Sequence, residues 1–130
     1  NEKQMNDTEK LLPVISDEES QSYDAKCAEL QTKYNASKVY CCVQFREETN
    51  ERIISYITEP NYTSKLVLMD KANDIGMHQA ADELRVMCQL IDESHPLTYG
   101  VTPECDQYKL GVAQFCIGVI KISMNQFKKK

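Results

Sequence analysis

The sequence has no tryptophan, two histidines, four glycines and four prolines, and it lacks an apolar run long enough to span a bilayer. Because glycine and proline are scarce and good helix formers are abundant, a β-sandwich is disfavoured and helix is favoured. The histidines, His78 and His95, fit no metal-ligand spacing, and no G-x-S-x-G nucleophile turn is present. We therefore expect a protein that is not an enzyme and that carries no metal or cofactor.

Positively charged residues are also fewer than negatively charged ones. Fifteen Lys and Arg residues stand against twenty Asp and Glu residues, which leaves a net charge of −5. Nonspecific nucleic-acid binding needs a basic surface, so that class of partner is disfavoured. The last three residues are lysines, and residues 125–130 are predicted to form a frayed basic tail instead of a membrane-binding patch.

Cysteine, in contrast, is abundant, with six residues in a chain of 130 and an adjacent pair at Cys41 and Cys42. An even number of cysteines without metal-type spacing predicts three disulfides in a secreted, extracellular protein. The chain starts at Asn1 instead of methionine, as we expect of a mature protein after signal removal. Three N-glycosylation sequons support that route, at Asn6, Asn35 and Asn61.

The apolar spacing predicts a single domain over residues 1–130, with residues 1–15 as a loose amino-terminal arm. Ser16 and Glu19 form a capping box at the start of the first helix, which should end near Asn35. Further helices are predicted over residues 38–58, in a short segment after residue 63, over residues 72–92 and from residue 102 onward. The expected fold is all-α, a compact disulfide-braced bundle of about five helices.

The predicted helices suggest a pairing of the cysteines. Adjacent residues on a helix point about 100° apart, so Cys41 and Cys42 should reach different neighbours. Cys105 and Cys116 would be about 16 Å apart along one helix, which is beyond disulfide reach. The proposed bridges are Cys27–Cys41, Cys42–Cys116 and Cys88–Cys105.

Two groups of residues are candidates for binding another protein. Glu47 and Glu48 lie in an acidic cluster that is explained most simply as a solvated helix face, with a docking surface for a basic partner as the alternative. Tyr62 and Tyr99 lie next to turns, where an exposed tyrosine can anchor a protein interface.

A different function would be the transport of a small hydrophobic ligand. Its basis is a set of methionine and phenylalanine side chains on apolar stripes, which core packing also explains: Met69, Met77, Met87, Phe115 and Met124. Insect odorant-binding proteins are helical carriers of this kind with three disulfides, although their cysteine spacings differ from the zero and ten intervening residues found here. A large dry cavity would favour a carrier, and a filled core would favour a protein binder.

The layout resembles a small family of anopheline mosquito salivary proteins, the albicin and anophensin group. The similarity covers nearly the whole chain in size and helical pattern. It includes Tyr40-Cys41-Cys42 in an early helix and a final helix that carries Cys105 and Cys116. The resemblance implies a non-enzymatic inhibitor of host defence in blood, one that binds a plasma protein. Albicin-like members act on the convertase of the alternative complement pathway, and anophensin is associated with the contact (kallikrein–kinin) system.

Overall fold

The computed structural model describes residues 14–128, with side chains through residue 122. Most of the predicted amino-terminal arm (residues 1–13) and the side chains of the predicted basic tail lie outside this part of the chain. The elements in chain order are helix α1 (Asp17–Lys33), strands β1 (Val39–Arg46) and β2 (Glu51–Thr58), and helices α2 (Tyr62–Asp74), α3 (Met77–Cys88) and α4 (Asp106–Lys128). Three short 3-10 turns connect α3 to α4, over Ile91–Glu93, Pro96–Thr98 and Pro103–Cys105.

The prediction of an all-α bundle is wrong, because residues 38–58 form a β-hairpin instead of a helix. β1 and β2 are antiparallel, and their register pairs Val39 with Thr58 and Arg46 with Glu51. Both strands are rich in β-branched and aromatic residues, which pack well on a pleated surface. The turn between them contains Asn50, whose φ of 54° is a left-handed conformation that asparagine tolerates. Tyr40-Cys41-Cys42 therefore lies in a strand.

The hairpin is the middle layer of three. Cys42 and Ile57 face helices α2 to α4 and join their buried side chains in the larger core cluster. On the other face, Val39 and Tyr56 pack against Leu30 of α1 in a smaller cluster. A two-stranded sheet is marginally stable alone, so burial of both faces is what maintains the hairpin.

Helix α1 follows its sequence prediction. Ser16 is the N-cap, and its hydroxyl accepts a hydrogen bond from the Glu19 N–H at 3.1 Å. Beyond the helix end, Asn35 has a φ of 52°, which turns the chain toward β1. Among the residues of α1, Leu30 is the one that is fully buried.

The carboxyl-terminal half is helical, as predicted, but with different boundaries. α2 is capped by Asn61, whose side chain accepts from the Ser64 N–H, and not by Thr63. The predicted helix over residues 72–92 is instead broken at Gly76, which has a φ of 142°. In α3, the predicted stripe is buried at its centre, around Leu84, whereas Met87 is 43% exposed.

All six cysteines are free thiols, so the prediction of a disulfide-braced fold is also wrong. Four of them are buried: Cys42, Cys88, Cys105 and Cys116. Cysteine is one of the most frequently buried residue types and packs as a small hydrophobe. An even number of cysteines therefore did not distinguish bridges from apolar packing in this chain.

One polar contact joins the sheet to α4. The Gln44 side-chain amide donates a hydrogen bond to the Tyr108 carbonyl at 3.0 Å. Gly111 makes room for it, since a Cβ at that position would lie 1.9 Å from Gln44 Oε1. The other glycine of this helix, Gly118, has no heavy atom within 4 Å of a built Cβ.

These two glycines give a matched pair of substitutions. Gly118→Ala should stabilise the protein by roughly 0.5–1 kcal/mol, because alanine is the better helix former. Gly111→Ala should leave the protein about 1–3 kcal/mol less stable than Gly118→Ala, because the Gln44 amide must move and lose its bond. Chemical denaturation of both variants measures the difference, and equal stabilities would contradict this contact.

Candidate functional site

The outer edge of β1 is the least satisfied part of the sheet. The Glu59 N–H donates to the Lys38 carbonyl at 2.8 Å, which makes these two residues a hydrogen-bonded pair. Because such pairs alternate along an antiparallel ladder, Cys41 and Val43 turn their N–H and C=O groups away from β2. Within residues 14–128, the structure shows no hydrogen bond to these outward groups.

The outer edge of β2 is covered. The Tyr56 carbonyl accepts from the Leu90 N–H, and the Ile54 carbonyl accepts from the His95 N–H, each at 2.8 Å. The Tyr56 N–H donates to the Ser94 hydroxyl at 3.1 Å. Residues 90–95 thus occupy the place of a third strand. Proteins commonly protect sheet edges in this way, and the contrast makes the open β1 edge a candidate binding surface.

A cleft of about 400 Å³ lies beside the open edge, between α1 and β1. We call it the edge groove. Its helix wall includes Tyr23, Asp24 and Cys27, and its strand wall includes Lys38, Cys41 and Val43. Asp24 and Lys38 are exposed, and neither forms an ion pair with another described residue.

Two thiols meet in the edge groove. Cys27 and Cys41 both line the groove and interact electrostatically, and both act on the nearby Tyr56 hydroxyl. Burial, followed by the nearby Cys27 thiol, raises the pKa of Cys41 to about 12, and burial and the Asp24 carboxylate raise the pKa of Cys27. Both groups are therefore neutral thiols at physiological pH and are weak nucleophiles.

The larger core holds a second set of thiols. Cys42, Cys88 and Cys116 belong to one buried cluster, and Cys116 interacts electrostatically with the other two. Burial raises the pKa of Cys42 and of Cys116 to about 12 in each case. Cys105 lies elsewhere, with its sulfur 3.3 Å from the Thr102 hydroxyl.

The raised thiol pKa values predict a loss of stability in alkali. The unfolded chain releases these protons near the ordinary pKa of 9.0, well before the folded protein does. The stabilisation is therefore complete below about pH 9 and is lost as the pH rises toward about 12, by roughly 1 kcal/mol per pH unit for each thiol. Guanidinium unfolding under reducing conditions at a series of pH values measures this slope. Cys116→Ala should flatten it, and a stability that is constant above pH 9 would contradict the prediction.

A second cleft of about 420 Å³ lies on the other side of α1, next to β2 and residues 92–95. Most of its charged groups are paired within the described part of the chain, with Asp92 as the exception. Lys33 contacts Glu93 at 2.7 Å, and the His95 ring contacts Glu51 at 3.4 Å. Since most of its charges and the adjacent strand edge are already engaged, this cleft offers a partner fewer free groups than the edge groove does.

The position of α1 against the sheet is set at its start by Arg52. The guanidinium binds both oxygens of Glu19, at 2.7 Å and 3.2 Å, and lies over the Phe45 ring. The Tyr23 hydroxyl donates to the same carboxylate, and the Arg52 and Tyr23 hydrogen bonds lower the Glu19 pKa. Because the Arg52 side chain is 9% exposed, this pair is shielded from solvent more than an ordinary surface ion pair.

Arg52→Lys should therefore destabilise the protein, because lysine keeps the charge but cannot bind Glu19 with two parallel bonds. We expect a loss of about 1–3 kcal/mol in the free energy of unfolding. Arg46→Lys is the control, since its partner Glu104 is 61% exposed and the expected change is below about 0.5 kcal/mol. Urea unfolding compares the two, and equal losses would show that the Arg52 geometry does not matter.

The structure does not gather the four residues predicted to bind protein. Glu47 and Glu48 are exposed in the hairpin turn, whereas Tyr62, 68% exposed, starts α2 beyond the far end of β2. A strand of eight residues separates these positions by about 26 Å. Tyr99 is partly buried between two of the 3-10 turns.

Two of the three candidate glycosylation sites lie in the described part of the chain. Asn35 is exposed in the turn after α1. Asn61 is also exposed, and it uses its side-chain oxygen to cap α2. That hydrogen bond leaves the amide nitrogen, the atom that a glycan would modify, without a role in the cap. Asn6 lies outside the described residues.

Among the described side chains, those predicted to surround a small ligand line no large cleft given by the structure. Met77 and Phe115 pack at the border of the larger core cluster, and Met87 is substantially exposed. Met69 borders an apolar cleft of about 10 Å³, roughly the space of one water molecule. Met124 lies outside the described side chains. Met77 and Phe115 therefore take part in core packing in the described part of the chain.

Among the described residues, no group of three or more His, Cys, Asp or Glu side chains is arranged to hold a metal ion. None of the described helices is long and apolar enough to cross a membrane. Comparisons with protein-family models, with curated proteins and with solved structures found no match.

Sequence reasoning missed the edge groove because it did not identify β1. The signal was present as two runs of β-branched and aromatic residues, at residues 39–45 and 52–58, around a short polar turn. Which edge of the hairpin stays open could not be read from that signal. It depends on residues 90–95, which are more than thirty positions away in the sequence.

Proposed function

We propose that the protein is a secreted, non-enzymatic inhibitor of host defence that acts by binding a plasma protein. The observation that carries the binding function is the open β1 edge beside a cleft of about 400 Å³. Clefts next to unpaired strand edges are used in proteins to bind extended segments of partners. The filled core supports a surface function over the transport of a small apolar ligand.

The target class in this proposal comes from the resemblance to the albicin and anophensin group. It makes the alternative complement pathway convertase the first target and the contact system the second. Secretion is supported by the exposed sequon asparagines Asn35 and Asn61. The free thiols remove the disulfide argument for secretion, which therefore rests on the sequons and on the resemblance.

The decisive experiment is a haemolysis assay that depends on the alternative pathway alone, with rabbit erythrocytes in calcium-depleted serum. We expect the protein to prevent lysis at micromolar concentration. Lysis of antibody-coated cells through the classical pathway is the control and should be unchanged. Full lysis in both assays would exclude the convertase as the target, and inhibition of plasma kallikrein generation would then assign the protein to the contact system.

A further inference from the structure

We propose that the edge groove binds its protein partner as an added β-strand, paired with the outer edge of β1. This inference rests on the proposed function, that the protein works by binding another protein, and it specifies the chemistry of the bound segment. The partner contributes an extended stretch of about six to eight residues. Its side chains alternate between apolar and polar, with basic groups directed toward α1.

Within the described part of the chain, the backbone of β1 presents unpaired groups along its outer edge. Cys41, Val43 and Phe45 are partly exposed, and the register directs their N–H and C=O groups outward. Each residue offers one donor and one acceptor in the spacing that an incoming strand requires. At the equivalent edge of β2, residues 90–95 satisfy such groups within the chain. The structure therefore contains one protected edge and one open edge in the same hairpin.

The shape of the surface beside that edge also suits an added strand. α1 stands next to β1 and forms a wall, so an added strand would lie between a helix and a strand instead of on an open surface. The lining combines the apolar side chain of Val43 with the polar side chains of Asp24 and Gln31. Main-chain bonds to β1 would supply affinity, and alternate side chains that contact α1 would supply specificity.

The charge of the groove favours a basic segment. Asp24 lines the groove and has no ion-pair partner among the described residues. α1 begins at the hairpin-turn end of the sheet, because Glu19 binds Arg52 in β2. That end therefore carries exposed carboxylates from both elements: Asp17, Glu18, Glu47 and Glu48. A basic segment complements this rim, whereas an acidic one would be repelled.

Lys38 lines the groove at the opposite end of β1 from the hairpin turn. Its ammonium lies over the Tyr40 ring, which packs against the larger core cluster on the face of the sheet opposite α1. The Lys38 charge is therefore directed away from α1, and the carboxylates set the charge of the groove on the α1 side.

The test uses a random dodecapeptide display library selected on the intact protein. Enriched peptides are then synthesised, and their affinities are measured by fluorescence anisotropy. We expect alternating apolar residues and an excess of lysine and arginine. The binding variant is Val43→Pro, which removes one outward N–H where an edge strand tolerates proline. It should weaken binding at least tenfold, whereas Val43→Thr, which keeps the N–H and the branched shape, should bind within about twofold.

A second measurement leaves the protein unchanged. Methylation of alternate backbone nitrogens in an enriched peptide should abolish binding when it blocks the N–H groups that face β1. Methylation of the other set should be tolerated. The methylated peptides test strand addition even if Val43→Pro does not fold. Asp24→Asn should weaken basic peptides several-fold and leave neutral ones unchanged.

Several outcomes would overturn strand addition. They are the absence of any enriched peptide, peptides that bind equally after either methylation, and peptides that bind Val43→Pro as well as the native protein when that variant folds. A concentration-dependent dimer that Val43→Pro dissociates would assign the edge to a second copy of the chain. Peptide binding that appears only after deletion of residues 1–13 would assign it to the chain's own amino-terminal segment. If peptides bind as expected but haemolysis is not inhibited, the convertase target is wrong and the strand-addition mode stands.

Discussion

The fold depends on one constraint, which is that a two-stranded hairpin must bury both of its faces. Two strands alone bury too little surface to be stable in water. Here the face with Cys42 and Ile57 packs on three helices, and the face with Tyr56 packs on α1. The position of α1, the separation of the two core clusters and the existence of clefts on either side of α1 all follow from this arrangement.

The sequence predicts the helical parts of this fold well and the hairpin poorly, for a physical reason. The apolar pairs Val39 with Val43 and Ile53 with Ile57 are four residues apart, and a spacing of four fits one face of a helix and one face of a strand equally. The discriminating spacing is two. Ile53, Ser55 and Ile57 are all fully buried, and the buried serine hides that alternation from a hydrophobicity pattern. Ser55 tolerates burial because its hydroxyl accepts a hydrogen bond from Gln89.

The candidate site was less predictable than the fold because it is made by backbone groups. Any residue type can present an outward N–H, so no side-chain motif marks an open edge. Sequence reasoning selected chemically distinctive residues, such as Tyr62 and Glu48, and the structure places them at opposite ends of the hairpin. The prediction of disulfides was wrong for a related reason, since a cysteine side chain packs in an apolar core as readily as it forms a bridge.

The way in which α1 is held has a mechanical consequence. Leu30 is its one fully buried residue, and much of the attachment is polar: Arg52 binds Glu19 at the start, and Glu93 accepts from Lys33 and Tyr34 at the end. The helix is therefore held in place at both ends by charged hydrogen bonds. These charge-assisted contacts set the width of the edge groove beside the helix. A groove of fixed width can bind a segment without first having to open. A higher ionic strength should therefore loosen the helix, and it should weaken the exposed Lys33 contact more than the shielded Arg52 contact.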